Sequence, residues 1–444
     1  MVHRKNTLLV VLCLALAGWV VLVSAFHQES VSQAGSQAGR LSTTSLIDFF
    51  PQISKPALSG IKPKNPKKVV ATSEATSSFV NEVNLSRYVG FIKELADFKS
   101  RYSTSPGCDA AANYLVKHFS GLGFKTELQP FSIGPRRASN VVATLPGTAD
   151  KDAKGAFLVF GAHYDSISRD SDPLVTAPGA EDNASGTAAL MELAQLFHDH
   201  PPRTTVVLVA FAGEEEGLIG STAYVDSLRT GGSDKRMQAA LIMDMIGYTK
   251  DADLDILFET SSKFESLVAL PTSLASQFTK LRTETSLRPF GSDHVPFLNE
   301  NLPAFLVIEN DWDAYPAYHR SSDVPANISN DMAGESMKLV AAWAYKMANE
   351  RMLIPVISTI SYKNSTLVIK GENFQRDAQI EIDDQPLGRI KVTQPDATGS
   401  ATYKQLKSKD SRLTSLLPEG KTVAITVLNP QTGTRSTPFS FERK

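Results

Sequence analysis

The stretch Val206-Val207-Leu208-Val209-Ala210-Phe211-Ala212-Gly213-Glu214-Glu215-Glu216-Gly217 runs an apolar segment straight into three adjacent carboxylates. The apolar part reads as a buried strand. Like charges gathered at its end repel one another and are costly to desolvate unless something positive holds them. A divalent metal ion meets that need, because hard and borderline cations accept carboxylate oxygens. One glutamate then binds metal while its neighbour stays free as a base. Taken alone, the same stretch also fits a solvated acidic loop.

Four other segments place a metal-type side chain at or just beyond an apolar run or a helix start. Ala156-Phe157-Leu158-Val159-Phe160 leads into Gly161-Ala162-His163-Tyr164-Asp165-Ser166. Gly179-Ala180-Glu181-Asp182-Asn183-Ala184-Ser185-Gly186 opens a helical pattern over Thr187 to His198. Ala240-Leu241-Ile242-Met243 delivers Asp244, and Tyr318-His319 stands in a loop with Asp323 four residues beyond the histidine. In open α/β sheets, ligands gather at the carboxyl ends of the strands. One such side chain is ordinarily a satisfied polar group; five in register with strand ends are hard to explain that way.

In these five motifs and their order, the chain resembles the co-catalytic dinuclear zinc aminopeptidases, the secreted leucyl aminopeptidase type, whose relatives include glutamate carboxypeptidases and glutaminyl cyclases. The similarity runs from about Ser86 to Asn349. It implies two zinc ions per chain, with His163, Asp182, Glu215, Asp244 and His319 as ligands. Asp182 would bridge the ions, with His163 and Asp244 completing one and Glu215 and His319 the other. Elementary chemistry agrees, since zinc takes imidazole nitrogen and carboxylate oxygen and a neutral imidazole cannot link two ions. By the same resemblance Glu214 is the general base acting on a zinc-bridging hydroxide, and Asp165 fixes the tautomer of His163. The resemblance also implies Tyr318 as a donor to an oxyanion, with a packed aromatic as the plain alternative. The pattern leaves Glu216 at a variable position, expected to be an exposed charge. His294, in Gly291-Ser292-Asp293-His294, rivals His319 as ligand; the spacing of His319 to Asp323 favours His319.

Length allows two or three domains. The formal net charge of -2 argues against nucleic acid or an anionic membrane as partner. The two cysteines, Cys13 and Cys108, form no cluster, so metal must come through His and carboxylates. His3-Arg4-Lys5, the apolar run Leu8 to Val23 and the small-residue site Val23-Ser24-Ala25 read as an export signal. Residues 1–25 are thus a signal peptide or an uncleaved membrane anchor. The expected location is secreted, periplasmic or cell-surface, with membrane contact only if residues 7–25 are retained. No later segment is apolar for long enough to span a bilayer.

Residues 26–78 read as a low-complexity linker or pro-region, rich first in Ser, Gln, Ala and Gly and then in Pro and Lys. Residues 79–352 alternate strands and helices with continuous apolar strands at Ala156 to Phe160, Val206 to Phe211, Leu241 to Asp244 and Ala304 to Ile308. This predicts an α/β fold, a mostly parallel sheet covered by helices on both faces. Residues 353–444 change to short alternating strands with turns at Gly371-Glu372-Asn373 and Asp383-Asp384-Gln385-Pro386, which predicts a small all-β sandwich. Gly371-Glu372-Asn373-Phe374 resembles the immunoglobulin-like TIG/IPT module.

The function implied is an exported aminopeptidase acting on peptides with a free N-terminus. Two zinc-enzyme alternatives stay open: a glutaminyl cyclase, suggested by Asp293-His294-Val295-Pro296-Phe297-Leu298, and a carboxypeptidase, which needs a cationic pocket from residues such as Arg282, Arg288 or Arg320. A non-catalytic surface adhesion protein would predict a damaged metal site, yet all five ligand positions and the base are filled.

Overall fold

The computed structural model describes residues 74–148, 155–349, 355–388, 390–395, 402–429, 434–436 and 438–443. The expected export segment and all of the expected linker before Glu74 lie outside the described residues. Helix α1 (Glu74–Asn81) starts ahead of the boundary expected at residue 79. Phe79 explains this: it is 1% exposed and packs its ring against Phe197 and Tyr345, which orders the turn before it.

Helices α2 (Leu85–Ala96) and α3 (Pro106–Gly121) follow. The α3 start is set by Ser105, whose hydroxyl accepts the Cys108 N–H, and by Pro106 in the first turn. Its apolar stripe Cys108, Ala111, Leu115 and Phe119 is buried. Gly123, at φ +85°, turns the chain out of the helix into the first strand.

The large sheet has eight strands: β1 (Lys125–Ile133), β2 (Arg136–Leu145), β3 (Phe157–His163), β4 (Thr205–Phe211), β5 (Met237–Met243), β6 (Asp255–Glu259), β7 (Arg282–Ser286) and β8 (Ala304–Glu309). Their order is β1-β2-β4-β3-β5-β8-β6-β7. The four central strands, β4-β3-β5-β8, are parallel, and all residues of β3 and β8 are buried. The flanks are mixed. β1, β2 and β4 pair antiparallel, and β6 runs antiparallel to β8 but parallel to β7. Parallel strands buried on both faces need near-continuous apolar sequence, whereas the flanking pairs do not.

The covering helices are α4 (Gly186–Asp199), α5 (Ile219–Thr230), α6 (Ala269–Phe278), α7 (His294–Asn299) and α8 (Asn330–Asn349). Trp343 of α8 packs edge-on against Phe160 of β3 and Phe305 of β8, so the apolar face of this helix lies on the sheet. Burying side chains of this kind contributes about 1.5–3 kcal/mol each.

Beyond residue 355 follow β9 (Val356–Lys363), β10 (Thr366–Gln375), β11 (Gln379–Ile382), β12 (Gln385–Pro386), β13 (Ile390–Pro395), β14 (Thr402–Ser408), β15 (Thr422–Asn429), β16 (Thr434–Arg435) and β17 (Phe439–Glu442). One sheet is ordered β13-β14-β10-β9, and β15 lies in a second with β11, β12, β16 and β17. Leu367, Ile369, Phe374, Ile380, Ile382, Leu406, Val423, Ile425 and Val427 bring both sheets to one apolar core, separate from that of the α/β part. Gly371 marks a register shift where β10 meets β9; a Cβ there would lie 1.7 Å from the Val356 carbonyl oxygen. That close approach explains the glycine in the Gly371-Glu372-Asn373-Phe374 motif. The expected boundary at residues 352–353 lies outside the described residues.

Candidate metal centre

The register of the central strands decides where the polar side chains go. His163, the last residue of β3, is level with Phe211, the last of β4, three residues before Glu214. Gly161 is level with Ile242 of β5, so Asp244 emerges at the same edge. Asp182 stands in the irregular turn Ala180–Ser185 before α4, with a cis Asp182–Asn183 peptide. Gly186 presses this turn on the end of β5, since a Cβ there would lie 2.4 Å from the Met243 carbonyl oxygen. His319 comes from the loop after β8, at φ +54°, a left-handed region that His tolerates better than most residues. Its carbonyl accepts the Arg169 N–H at 2.9 Å.

Two groups form around one carboxylate. His163 Nε2 lies 3.3 Å from Asp182 Oδ1 and 3.3 Å from Asp244 Oδ1. His319 Nε2 lies 3.1 Å from Asp182 Oδ2 and 3.1 Å from Glu215 Oε2. In each group one candidate ligand atom per residue falls within 4.8 Å of the others, with Asp182 common to both; His163, Glu214 and Glu215 form a third group by the same measure.

Charge at the centre is lopsided. Among the described residues no Lys or Arg forms an ion pair with Asp182, Glu214, Glu215 or Asp244, whereas His163 and His319 do pair with Asp182. Glu215 Oε1 is buried with no hydrogen-bond partner among the described residues. Burial lowers the pKa of His319, but the carboxylates of Glu215 and Asp182 outweigh it and push it up to about 10. His163 behaves alike: burial opposes, and Asp244 and Glu214 raise it above its usual range. Protons thus take up negative charge that a cation would otherwise neutralise. Burial likewise holds Glu214 above the ordinary carboxylate range, reinforced by Glu215, Asp293 and Asp244 and opposed by His163. Two imidazoles and a surplus of buried carboxylate oxygens are a donor set that fits divalent zinc.

Around the two groups stands a supporting layer. His163 Nδ1 is 3.3 Å from the main-chain carbonyl of Asp165 and 3.5 Å from its carboxylate Oδ1, so Asp165 orients the ring by backbone and side chain together. Asp323 Oδ1 and Oδ2 accept the N–H groups of Glu181 and Asp182. Ser292 donates to Asp244 Oδ2 at 2.8 Å. Glu181 is fully buried and accepts the N–H groups of Gly247 and Tyr248, joining the Asp182 turn to the loop after Asp244.

Arg101 is also fully buried. Its guanidinium donates to the carbonyls of Leu95, Tyr164, Pro178 and Gly179. Burial draws its pKa down to about 10, opposed by Asp323, Asp165 and Asp182 nearby, so it is charged at neutral pH. No local pattern in Lys99-Ser100-Arg101-Tyr102-Ser103 signals these roles; only the fold brings this segment under the centre.

One sequence expectation changes. Glu216 is not an exposed charge: it is half-buried, with Oε2 2.6 Å from Ser103 Oγ, because the turn after Gly213 folds it inward. His294 is fully buried with Nε2 3.1 Å from Glu259 Oε1, and it belongs to neither group around Asp182. Of the arginines considered for a cationic pocket, Arg282 pairs with Asp253 and Asp255. Tyr318 is 38% exposed and stacks on the His319 ring at 3.8 Å between centroids.

Residues 140–344, which carry every one of these strand-end groups, match peptidase family M28. A protein of Pyrenophora teres f. teres named "Probable zinc metalloprotease" is 30% identical over 204 residues, 40% of this chain and 42% of that protein. The chain spans less than half the length of such curated zinc metalloproteases. A protein of Trichophyton verrucosum named "Probable leucine aminopeptidase" is 23% identical over 287 residues, covering 62% of this chain and 76% of that one. The crystal structure of Legionella pneumophila LapA aminopeptidase superposes with a TM-score of 0.56 at 22% identity, covering 65% of this chain and 78% of that chain, a likeness of fold.

Proposed function

We propose that this chain is an exported zinc aminopeptidase that removes N-terminal residues from peptides. The observation that carries the reading is the pair of donor groups sharing Asp182: His163 and Asp244 on one side, Glu215 and His319 on the other. These residues would hold two zinc ions, and zinc bound there supplies Lewis acidity toward a peptide carbonyl and acidifies water.

The remaining chemistry belongs to the chain. Glu214, beside His163 and Glu215, has no ligand duty in this assignment. Its buried setting keeps a proton on it more readily than on a surface glutamate, which suits a base that takes a proton from the attacking water and returns it to the leaving amine. Asp165 keeps the His163 ring in place. Tyr318, stacked on His319 with the carboxylates of Asp182 and Glu215 acting on its phenol, offers a hydroxyl for the carbonyl oxygen as it gains charge. The N-terminal pattern of residues 1–25 supports export, and the Gly371 motif supports an immunoglobulin-like TIG/IPT reading of the C-terminal sheets.

The test is a panel of aminoacyl and dipeptidyl chromogenic substrates, assayed with and without a chelator, alongside metal analysis. Chelator-sensitive release from aminoacyl substrates with two zinc ions per chain is expected. Cleavage that survives complete removal of metal would overturn the reading.

A further inference from the structure

Ser103 lies between α2 and α3, and its side chain is buried under the metal centre. Its Oγ accepts the Gly213 N–H at 2.9 Å and stands 2.9 Å from Asp165 Oδ2 and 2.6 Å from Glu216 Oε2. A hydroxyl has one hydrogen, so Ser103 donates to one carboxylate at a time, Asp165 or Glu216, while a lone pair takes the Gly213 N–H. Each leads to the centre. Asp165 faces Nδ1 of His163 and accepts the Glu215 N–H at 3.2 Å through the same Oδ2 that meets Ser103. Gly213, at φ +73°, begins the turn that presents Glu214 and Glu215.

We infer that Ser103 is a positioning residue for both halves of the centre. Through Asp165 it sets the His163 ring, and through Gly213 and Glu216 it sets the glutamate turn. Ser103 has this role only if the centre binds metal as proposed above. Partners of this kind hold a ligand's orientation, and their loss lowers metal affinity without emptying the protein of its fold.

The test uses the full chain and reads zinc affinity by competition with a chromogenic chelator, with the melting temperature of the metal-free protein as control. Ser103→Ala is expected to lose roughly ten- to a hundredfold in zinc affinity while the metal-free melting temperature stays near wild type. Ser103→Thr keeps the hydroxyl and is expected to bind zinc like wild type, which preserves the comparison should the alanine variant fold poorly. In an Asp165→Asn background, adding Ser103→Ala is expected to cost clearly less than in the wild-type chain, because the path through Asp165 is already broken and only the one through Gly213 and Glu216 remains. Wild-type zinc affinity in Ser103→Ala, or an equal loss in both backgrounds, would overturn the inference. A wild-type chain that binds no zinc would overturn the metal reading itself and this role with it.

Discussion

Asp323 holds Asp182 by its main chain: Oδ2 of Asp323 accepts the Asp182 N–H at 3.0 Å, while Oδ1 accepts that of Glu181 at 2.9 Å. The Tyr315 hydroxyl donates to the same carboxylate at 2.7 Å. A residue from the loop that carries His319 therefore fixes the backbone of the shared ligand. Asp323→Ala is expected to reduce zinc affinity by about ten- to a hundredfold, read by chelator competition. Unchanged affinity would show that the turn Ala180–Ser185 keeps its shape unaided.

Glu214→Gln is expected to abolish turnover while leaving zinc content intact. The amide keeps the size of the side chain but accepts no proton, and loss of a general base costs about two to four orders of magnitude in rate. Metal analysis and kcat on one preparation check both halves. A Glu214→Gln protein that loses metal, with Glu215→Gln keeping it, would reverse the two roles.

His319→Ala is expected to lose one of the two proposed ions and nearly all activity, because its group shares only Asp182 with the other. His294→Ala is expected to keep both, since His294 is hydrogen-bonded to Glu259 instead. Metal contents the other way round would move the ligand to His294.

Removing residues 355–444 is expected to leave hydrolysis of small substrates largely unchanged. The two apolar cores are separate, and every proposed site residue precedes the cut. The ion pair between Lys263 and Asp384 is exposed on the Asp384 side, and such pairs contribute at most about 1 kcal/mol. A truncated chain that folds and holds zinc but cannot cleave small substrates would show that the sheets complete the pocket.

What the sequence determined by itself was the central sheet and the side chains at its edge. Buried parallel strands must be apolar from end to end, so β3, β4, β5 and β8 were legible, and the polar residues that follow them stood out against that background. The flanking strands β1, β6 and β7 were not legible. Pro130 and alternating exposure in β1, and the polar Arg282-Thr283-Glu284-Thr285-Ser286 of β7, pair through backbone hydrogen bonds that leave little mark on residue choice.

The surroundings of the centre came from folding. Arg101, Ser103 and Glu181 act through carbonyl and N–H groups brought near by folding, and a backbone partner has no side-chain signature in sequence. Glu216 meets the Ser103 hydroxyl and His294 the Glu259 carboxylate, side-chain partners far apart in the sequence that only folding brings together. Residue type limits which bonds a side chain is able to make; the path of the chain around the sheet selects the partner it meets.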